Sequence, residues 1–134
     1  MATLTAIREG FKTRFLTIPG LSASALSPGQ INTPAAWVTP DGYEWLSIDR
    51  SARKWRFRLH CAVQLQDFEL AQNNLDPYVS STHANSIEAA VFGDDTLGGI
   101  IGGITRFDMT GYGRIEVGGA EYLAAIWDLE AIDV

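Results

Sequence analysis

Leu4, Ile7, Phe11, Phe15 and Ile18 recur at intervals of three and four, with Arg8, Glu9 and Lys12 off that line. A helix of 3.6 residues per turn gathers such positions into one stripe, so the spacing predicts an amphipathic helix that Pro19 and Gly20 stop. Residues 21–26 read as a short strand, and Ser27, Pro28 and Gly29 begin a loop that runs to Pro34. Residues 35–39 and 43–48 read as two strands of a hairpin. Between them stand Pro40, Asp41 and Gly42, where proline presets φ and glycine accepts a positive one. The period then changes to two: Trp55, Phe57, Leu59, Cys61, Val63 and Leu65 alternate with Lys54, Arg56, Arg58, His60, Ala62 and Gln64. That is a long strand with one wet face. At about 3.3 Å per residue it runs about 40 Å, long for a small domain, so part of it is expected to project as an arm or hairpin.

Asp67 can cap a second helix with Phe68, Leu70, Ala71, Leu75, Tyr78 and Val79 on its apolar side. Asp76 and Pro77 predict a kink or restart within it. Ser86 can cap a short helix over residues 87–92 that ends at Gly93. Four glycines then fall within six residues, Gly98, Gly99, Gly102 and Gly103. Strands follow over 104–109 and 114–117, separated by Gly111, Tyr112 and Gly113. Gly118 and Gly119 form a two-residue hairpin turn, and the last strand, over 121–132, carries Leu123, Ala125, Trp127, Leu129 and Ala131 on one face. The expected fold is α+β. It has a largely antiparallel or mixed sheet, helices packed on one face and a long projecting strand or hairpin, all in a single domain over residues 1–134.

Composition narrows the class. The chain has 134 residues, 46% of them hydrophobic and 19% charged, which suits an ordinary globular domain rather than a disordered one. Residues 97–104 are the longest nearly apolar run and are half glycine, far short of the ~20 needed to cross a bilayer. The first twenty residues alternate charge with apolar positions at helical spacing and so read as part of the fold rather than a secretory leader. One cysteine, Cys61, leaves no internal disulfide to form. The net charge of −6 argues against a dedicated DNA-binding domain. Its distribution is uneven: residues 1–58 hold eight Lys and Arg against four Asp and Glu, a net +4, while residues 59–134 hold two against twelve, a net −10. A solvated basic strand explains this, and so does head-to-tail contact between copies, basic patch against acidic patch.

The residue patterns give little sign of chemistry. The glycine run lacks the lysine of a phosphate loop and leads into a strand instead of a helix, so Gly98 and Gly99 are read as structural turns, as are Gly118 and Gly119. His60 and Cys61 are neighbours on a strand and point to opposite faces, which rules them out as a base and nucleophile pair. Two histidines and one cysteine lack zinc-ligand spacing. Asp94 and Asp95, adjacent in a loop, are read as capping or solvated groups. No catalytic, cofactor-binding or metal residue is assigned. The candidate interface residues are Tyr43 and Trp45, which share a face and belong to residue types that dominate interface hot spots, and the basic row Lys54, Arg56, Arg58 and His60.

The order of these pieces resembles the tail terminator proteins of long-tailed phages, especially phages of actinobacteria. The resemblance is carried by Met1-Ala2-Thr3-Leu4 opening a helix that ends in Ile18-Pro19-Gly20-Leu21, by Pro34-Ala35-Ala36, and by Leu75-Asp76-Pro77-Tyr78-Val79. It continues through Ser86-Ile87-Glu88-Ala89-Ala90, Asp95-Thr96-Leu97-Gly98-Gly99, Tyr112-Gly113 and Val117-Gly118-Gly119-Ala120-Glu121-Tyr122-Leu123. It spans nearly the whole chain and rests on order and spacing, since each piece alone is common. It implies a non-enzymatic virion subunit at the tail-neck junction, assembled in the host cytoplasm. Such a subunit closes into a ring, usually of six, on the tail tube, ends polymerisation and offers a docking face to the head-tail connector or neck. The implied partners are further copies, the major tail tube protein and the neck protein. Genomic DNA would pass through the lumen without specific binding, and neither cofactor nor membrane is implied. The alternatives are another neck or tail-completion protein and, from a different class, a small intracellular ligand-binding domain or enzyme.

Overall fold

A computed structural model describes residues 2–24 and 31–133. The loop expected at Ser27, Pro28 and Gly29, and the end of the strand expected over 21–26, lie outside the described residues. Eight elements follow in order: α1 (Leu4–Phe15), β1 (Ser22–Ser24), β2 (Ala35–Trp45), β3 (Arg53–Gln64), α2 (Phe68–Val79), α3 (Ile87–Phe92), β4 (Gly103–Val117) and β5 (Ala120–Asp133). The strands form one mixed sheet in the order β1-β2-β3-β5-β4, with β1 parallel to β2 and every other pair antiparallel. The fold is α+β.

Each helix starts where its sequence supplies an acceptor for the free amides of its first turn. Thr3 Oγ1 accepts from the Ala6 amide, Asp67 Oδ1 from Glu69, and Ser86 Oγ from Ala89, all at 3.1 Å. The α1 stripe Ile7, Phe11 and Phe15 is completely buried. It meets Val38, Phe57, Leu59, Leu123 and Leu129 of the sheet together with Leu75 and Ile87 from the other helices. Phe11 sets its ring edge against Phe57 at 5.5 Å between centroids. The three helices therefore cover one face of the sheet. On the opposite face a smaller cluster, Ala35, Trp37, Ala62 and Ala124, is bordered by Ile115, Val117 and Tyr122.

Four expectations from the sequence need correction. β3 is the central strand, paired with β5 from Arg53 to Gln64 and with β2 from Arg53 to Ala62, so its length spans the body and forms no arm. Pro40, Asp41 and Gly42 do not turn the chain; β2 runs straight through, and a bulge at Asp41 shifts the register between Pro40 and Gly42. Among the described residues β1 pairs with Ala35, Ala36 and Trp37 and no strand is placed beside Pro40 on that side, so its missing amide donor breaks no ladder bond described there. Gly111, Tyr112 and Gly113 likewise do not break the chain. β4 is one fifteen-residue strand with register shifts between Ile104 and Arg106 and between Met109 and Gly111. Finally, α2 is one helix through Pro77 and does not restart there. The proline falls in the last turn, where Leu75 and Tyr78 are anchored in the core and the Ser80 amide closes the end on the Asp76 carbonyl at 3.0 Å.

Candidate functional site

The sheet sorts the six candidate interface residues onto its two faces. Tyr43 pairs with Trp55 and Trp45 with Arg53, on the side that carries the helices. Their rings meet edge to face at 5.7 Å, and both surround the Arg53 guanidinium, whose central carbon lies 5.2 Å from the Tyr43 ring, 5.7 Å from Trp45 and 4.7 Å from Trp55. Tyr43 and Trp45 nevertheless remain 45% and 39% exposed, so one side of each ring is open to a partner. The loop beyond them presents Leu46 at 48% and a fully exposed Ile48. This loop is ordered by its own polar side chains: Ser47 Oγ donates to Asp49 Oδ1 at 2.6 Å and Ser51 Oγ to the same oxygen at 2.9 Å. Those hydroxyls, Ser47 first, hold the Asp49 carboxyl below its ordinary pKa.

Lys54, Arg56, Arg58 and His60 point to the open face, as their period of two requires. The sequence suggested that a neighbouring copy supplies their acidic counterpart. For Lys54 and Arg58 the chain supplies it itself. Lys54 Nζ lies 3.1 Å from Glu44 and 3.7 Å from Glu130, and Arg58 Nε 3.5 Å from Asp128. The hydrogen bond to Glu44, with the charge of Glu130 behind it, raises the Lys54 pKa. Arg56 is exposed and has no ion pair among the described residues. His60 stacks on Trp37 with centroids 5.1 Å apart, and burial, reinforced by Arg58, pushes its pKa below 6.5.

The four turn glycines take left-handed backbone. Gly98 and Gly99 have φ of 73° and 87°, in a loop that Asp94 secures by accepting from the Gly98 amide at 2.9 Å and the Thr96 hydroxyl at 2.8 Å. These bonds, Thr96 first, hold the Asp94 carboxyl below its ordinary pKa, which gives it a structural task. Gly118 and Gly119 have φ of 61° and 84° and join β4 to β5, with Val117 opposite Ala120. Cys61 is completely buried in the core while His60 lies across the sheet, and burial drives the thiol pKa far up.

A second exposed apolar group, not foreseen from the sequence, lies at the opposite edge of the sheet. Phe92 at 45%, Met109 at 48% and Tyr112 at 38% exposure flank the half-buried Phe107. Phe92 and Phe107 meet edge to face at 5.4 Å. Met109 pairs with Trp127 and Tyr112 with Ala125, so this group too lies on the helix side. Among the described residues β4 has β5 as its one strand neighbour, and none of its fifteen residues is buried. The alternation around Phe107 and Met109 was visible in the sequence. That β4 lies at the edge was not, because strand order depends on pairing across the whole chain. A hollow of about 340 Å³, lined by Thr33, Pro34, Val63, Gln64, Asn74 and Tyr78, is open and gathers no charged group. No group of three or more metal-ligating side chains occurs among the described residues, and no helix is long and apolar enough to cross a membrane. Neither a scan against protein-family models nor a search of curated proteins finds a match for this chain.

Proposed function

We propose that the chain is the subunit of a ring that caps a phage tail tube, ends its polymerisation and presents a docking face to the neck. The carrying observation is that two separate groups of exposed apolar side chains lie on the helix side of one sheet, far apart across it: Tyr43 and Trp45 on β2, and Phe92 on α3 with Met109 and Tyr112 on the edge strand β4. A subunit with two different adhesive patches associates head to tail, and head-to-tail contacts close into rings when the rotation permits. Large exposed aromatic residues in such patches are the groups that anchor protein contacts. The tail-terminator identity comes from the ordered motifs of the sequence, from the opening helix to Val117-Gly118-Gly119, and the arrangement of elements is compatible with it.

The mechanism is geometric: a ring whose lower face fits the tube and whose upper face offers no further tube socket stops growth without chemistry. The purified chain tests the ring. Negative-stain images and light scattering are expected to give closed rings of uniform mass, whereas a monomer at all accessible concentrations would overturn the reading.

A further inference from the structure

We propose that the outer side of β4 is a contact between two copies of this chain, in which residues 113–117 of one pair antiparallel with residues 113–117 of the other about a two-fold axis at Ile115. This goes beyond the ring reading and does not rest on it.

An unbalanced charge points there. Glu116 stands directly opposite Glu121 in the ladder between β4 and β5, and like charges so placed repel. Both side chains are exposed, and neither forms an ion pair among the described residues. Arg114 lies two residues back on the same side of β4 and forms no ion pair either; its guanidinium carbon sits 5.5 Å from the centre of the Phe68 ring. The edge therefore presents a cation next to a pair of anions. A second copy turned by half a circle presents the complement.

Charge also chooses the register. Directly opposed residues in an antiparallel pair share a face, and β4 is free of bulges from Gly111 to Val117. With the axis at Ile115, Arg114 of each copy faces Glu116 of the other on the helix side, so a cation reaches each Glu116 and Glu121 pair. On the open face Ile115 meets Ile115, and Val117 meets Gly113, where nothing lies within 4 Å of an added Cβ. This extends the apolar cluster of Trp37, Ala62 and Ala124, which Ile115 and Val117 already border. The turn that comes to lie beside Tyr112 of the other copy is Gly118-Gly119, which brings no side chain. An axis at Arg114 or Glu116 would set like charges against each other, and one at Gly113 would run the pairing into the register shift between Met109 and Gly111. Arg106 and Asp108, the other opposite charges two residues apart on β4, already pair with each other, and Arg106 with Glu130.

The described residues leave this edge open. β4 has no strand on its outer side and lacks the proline and lysine that commonly block an edge. Ser24 and Ile31, which flank residues 25–30, share a hollow with Ala35 and Trp37 at the other edge. A six-residue link anchored at both ends there reaches about 12 Å, whereas the place beyond β4 is roughly 19 Å from β2. Ala2 and Asp133 lie at the far end of β4, where Gly103 pairs with Ile132. Because Ile115 is close to the end of its strand, the two bodies extend from the axis in opposite directions and overlap over these five residues alone. The contact closes at two copies and leaves Tyr43 and Trp45 uncovered.

A single cysteine on the axis tests this. In the chain carrying Ile115→Cys the two copies of position 115 oppose each other, with Cβ atoms about 5 Å apart and near disulfide geometry. Position 117 is four residues from its own copy, roughly 13 Å, and the buried Cys61 is shielded. Oxidation should give a covalent dimer and nothing larger from Ile115→Cys, and at least tenfold less from Val117→Cys. Charge reversal supplies a second readout at exposed positions that folding tolerates. Arg114→Glu and Glu116→Arg should each raise the dimer dissociation constant in sedimentation roughly tenfold or more, and the two together should restore it. Equal cross-linking at 115 and 117, or reversals without effect or without rescue, would overturn the two-fold contact. Cross-linked pairs from a chain that forms no rings would uphold this contact and remove the ring; rings whose Ile115→Cys variant gives no dimer would do the reverse.

Discussion

Arg53 donates from Nε to Oδ2 of Asp133 at 2.9 Å, and Asp133 is completely buried. The same two side chains hold the start of the chain: Asp133 Oδ1 accepts from the Ala2 amide at 3.0 Å, and Arg53 Nη2 donates to the Ala2 carbonyl at 2.7 Å. Three aromatic rings close around the guanidinium. One ion pair thus ties together residue 2, the first residue of β3 and the last of β5, directly beneath the exposed Tyr43 and Trp45.

Removing the cation leaves a buried carboxylate without a counter-charge, which costs about 3–5 kcal/mol. Arg53→Ala is expected to lose stability on that scale in urea denaturation. Arg53→Lys should recover only part of it, because an ammonium group cannot reproduce the planar fork that reaches Asp133 and Ala2 together. A loss of less than about 1 kcal/mol for Arg53→Ala would place the pair among weak surface contacts.

The turn between β4 and β5 demands left-handed backbone at both positions, with φ of 61° and 84°. A β-branched side chain there costs about 1–2 kcal/mol per residue. Nothing lies within 4 Å of an added Cβ at Gly119, so the cost at that position comes from the backbone and not from a clash. Replacing Gly118 and Gly119 together by valine is expected to lower the melting temperature and the solubility, while Gly118→Asn is tolerated because asparagine accepts this conformation. An unchanged melting temperature in the double variant would contradict the turn assignment.

His60 binds its proton less readily in the folded chain than its ordinary value of 6.5 implies. The unfolded state therefore takes up the proton first, and the His60 contribution to stability, complete above about pH 7, is lost as the pH falls below its unfolded value. Thermal melts between roughly pH 5 and pH 7.5 should show wild type losing stability toward acid and His60→Gln losing less. Parallel curves would show that the stacking on Trp37 leaves the imidazole freely titratable.

Duplex DNA is not expected to bind tightly. The open face sets Lys54 and Arg58 against Glu44, Glu130 and Asp128, and the whole chain carries −6. A mobility shift at micromolar protein and physiological salt should leave the DNA free. Tight binding that weakens steeply with salt would contradict this balance.

The elements with strong local signals were legible in the sequence. The α1 stripe, the caps at Asp67 and Ser86, the alternation of β3 and the Gly118 and Gly119 turn all depend on neighbours a few residues away. Pro40, Asp41 and Gly42 misled because a bulge and a turn use the same residue types, and only the pairing of Gly42 with Arg56 tells them apart. The basic row was readable, but two of its acidic partners were not: Asp128 and Glu130 lie seventy or more residues away on β5 and meet β3 only through sheet order, while Glu44, nearer in sequence, was hidden by the misread turn at Pro40 to Gly42. Arg53 gave a usable sign, since it shares the apolar parity of Trp55. An arginine at such a position implies a buried counter-ion, which is Asp133. The β4 edge, half of the candidate assembly surface, emerges only from the full topology.

The most direct measurement is the length of tails on particles made without this chain, read by electron microscopy against wild type. A subunit that ends polymerisation leaves tails of abnormal and variable length, with heads unattached. Tails of normal length on intact, joined heads would contradict the terminator role, and normal-length tails beside free heads would assign the chain to the neck instead.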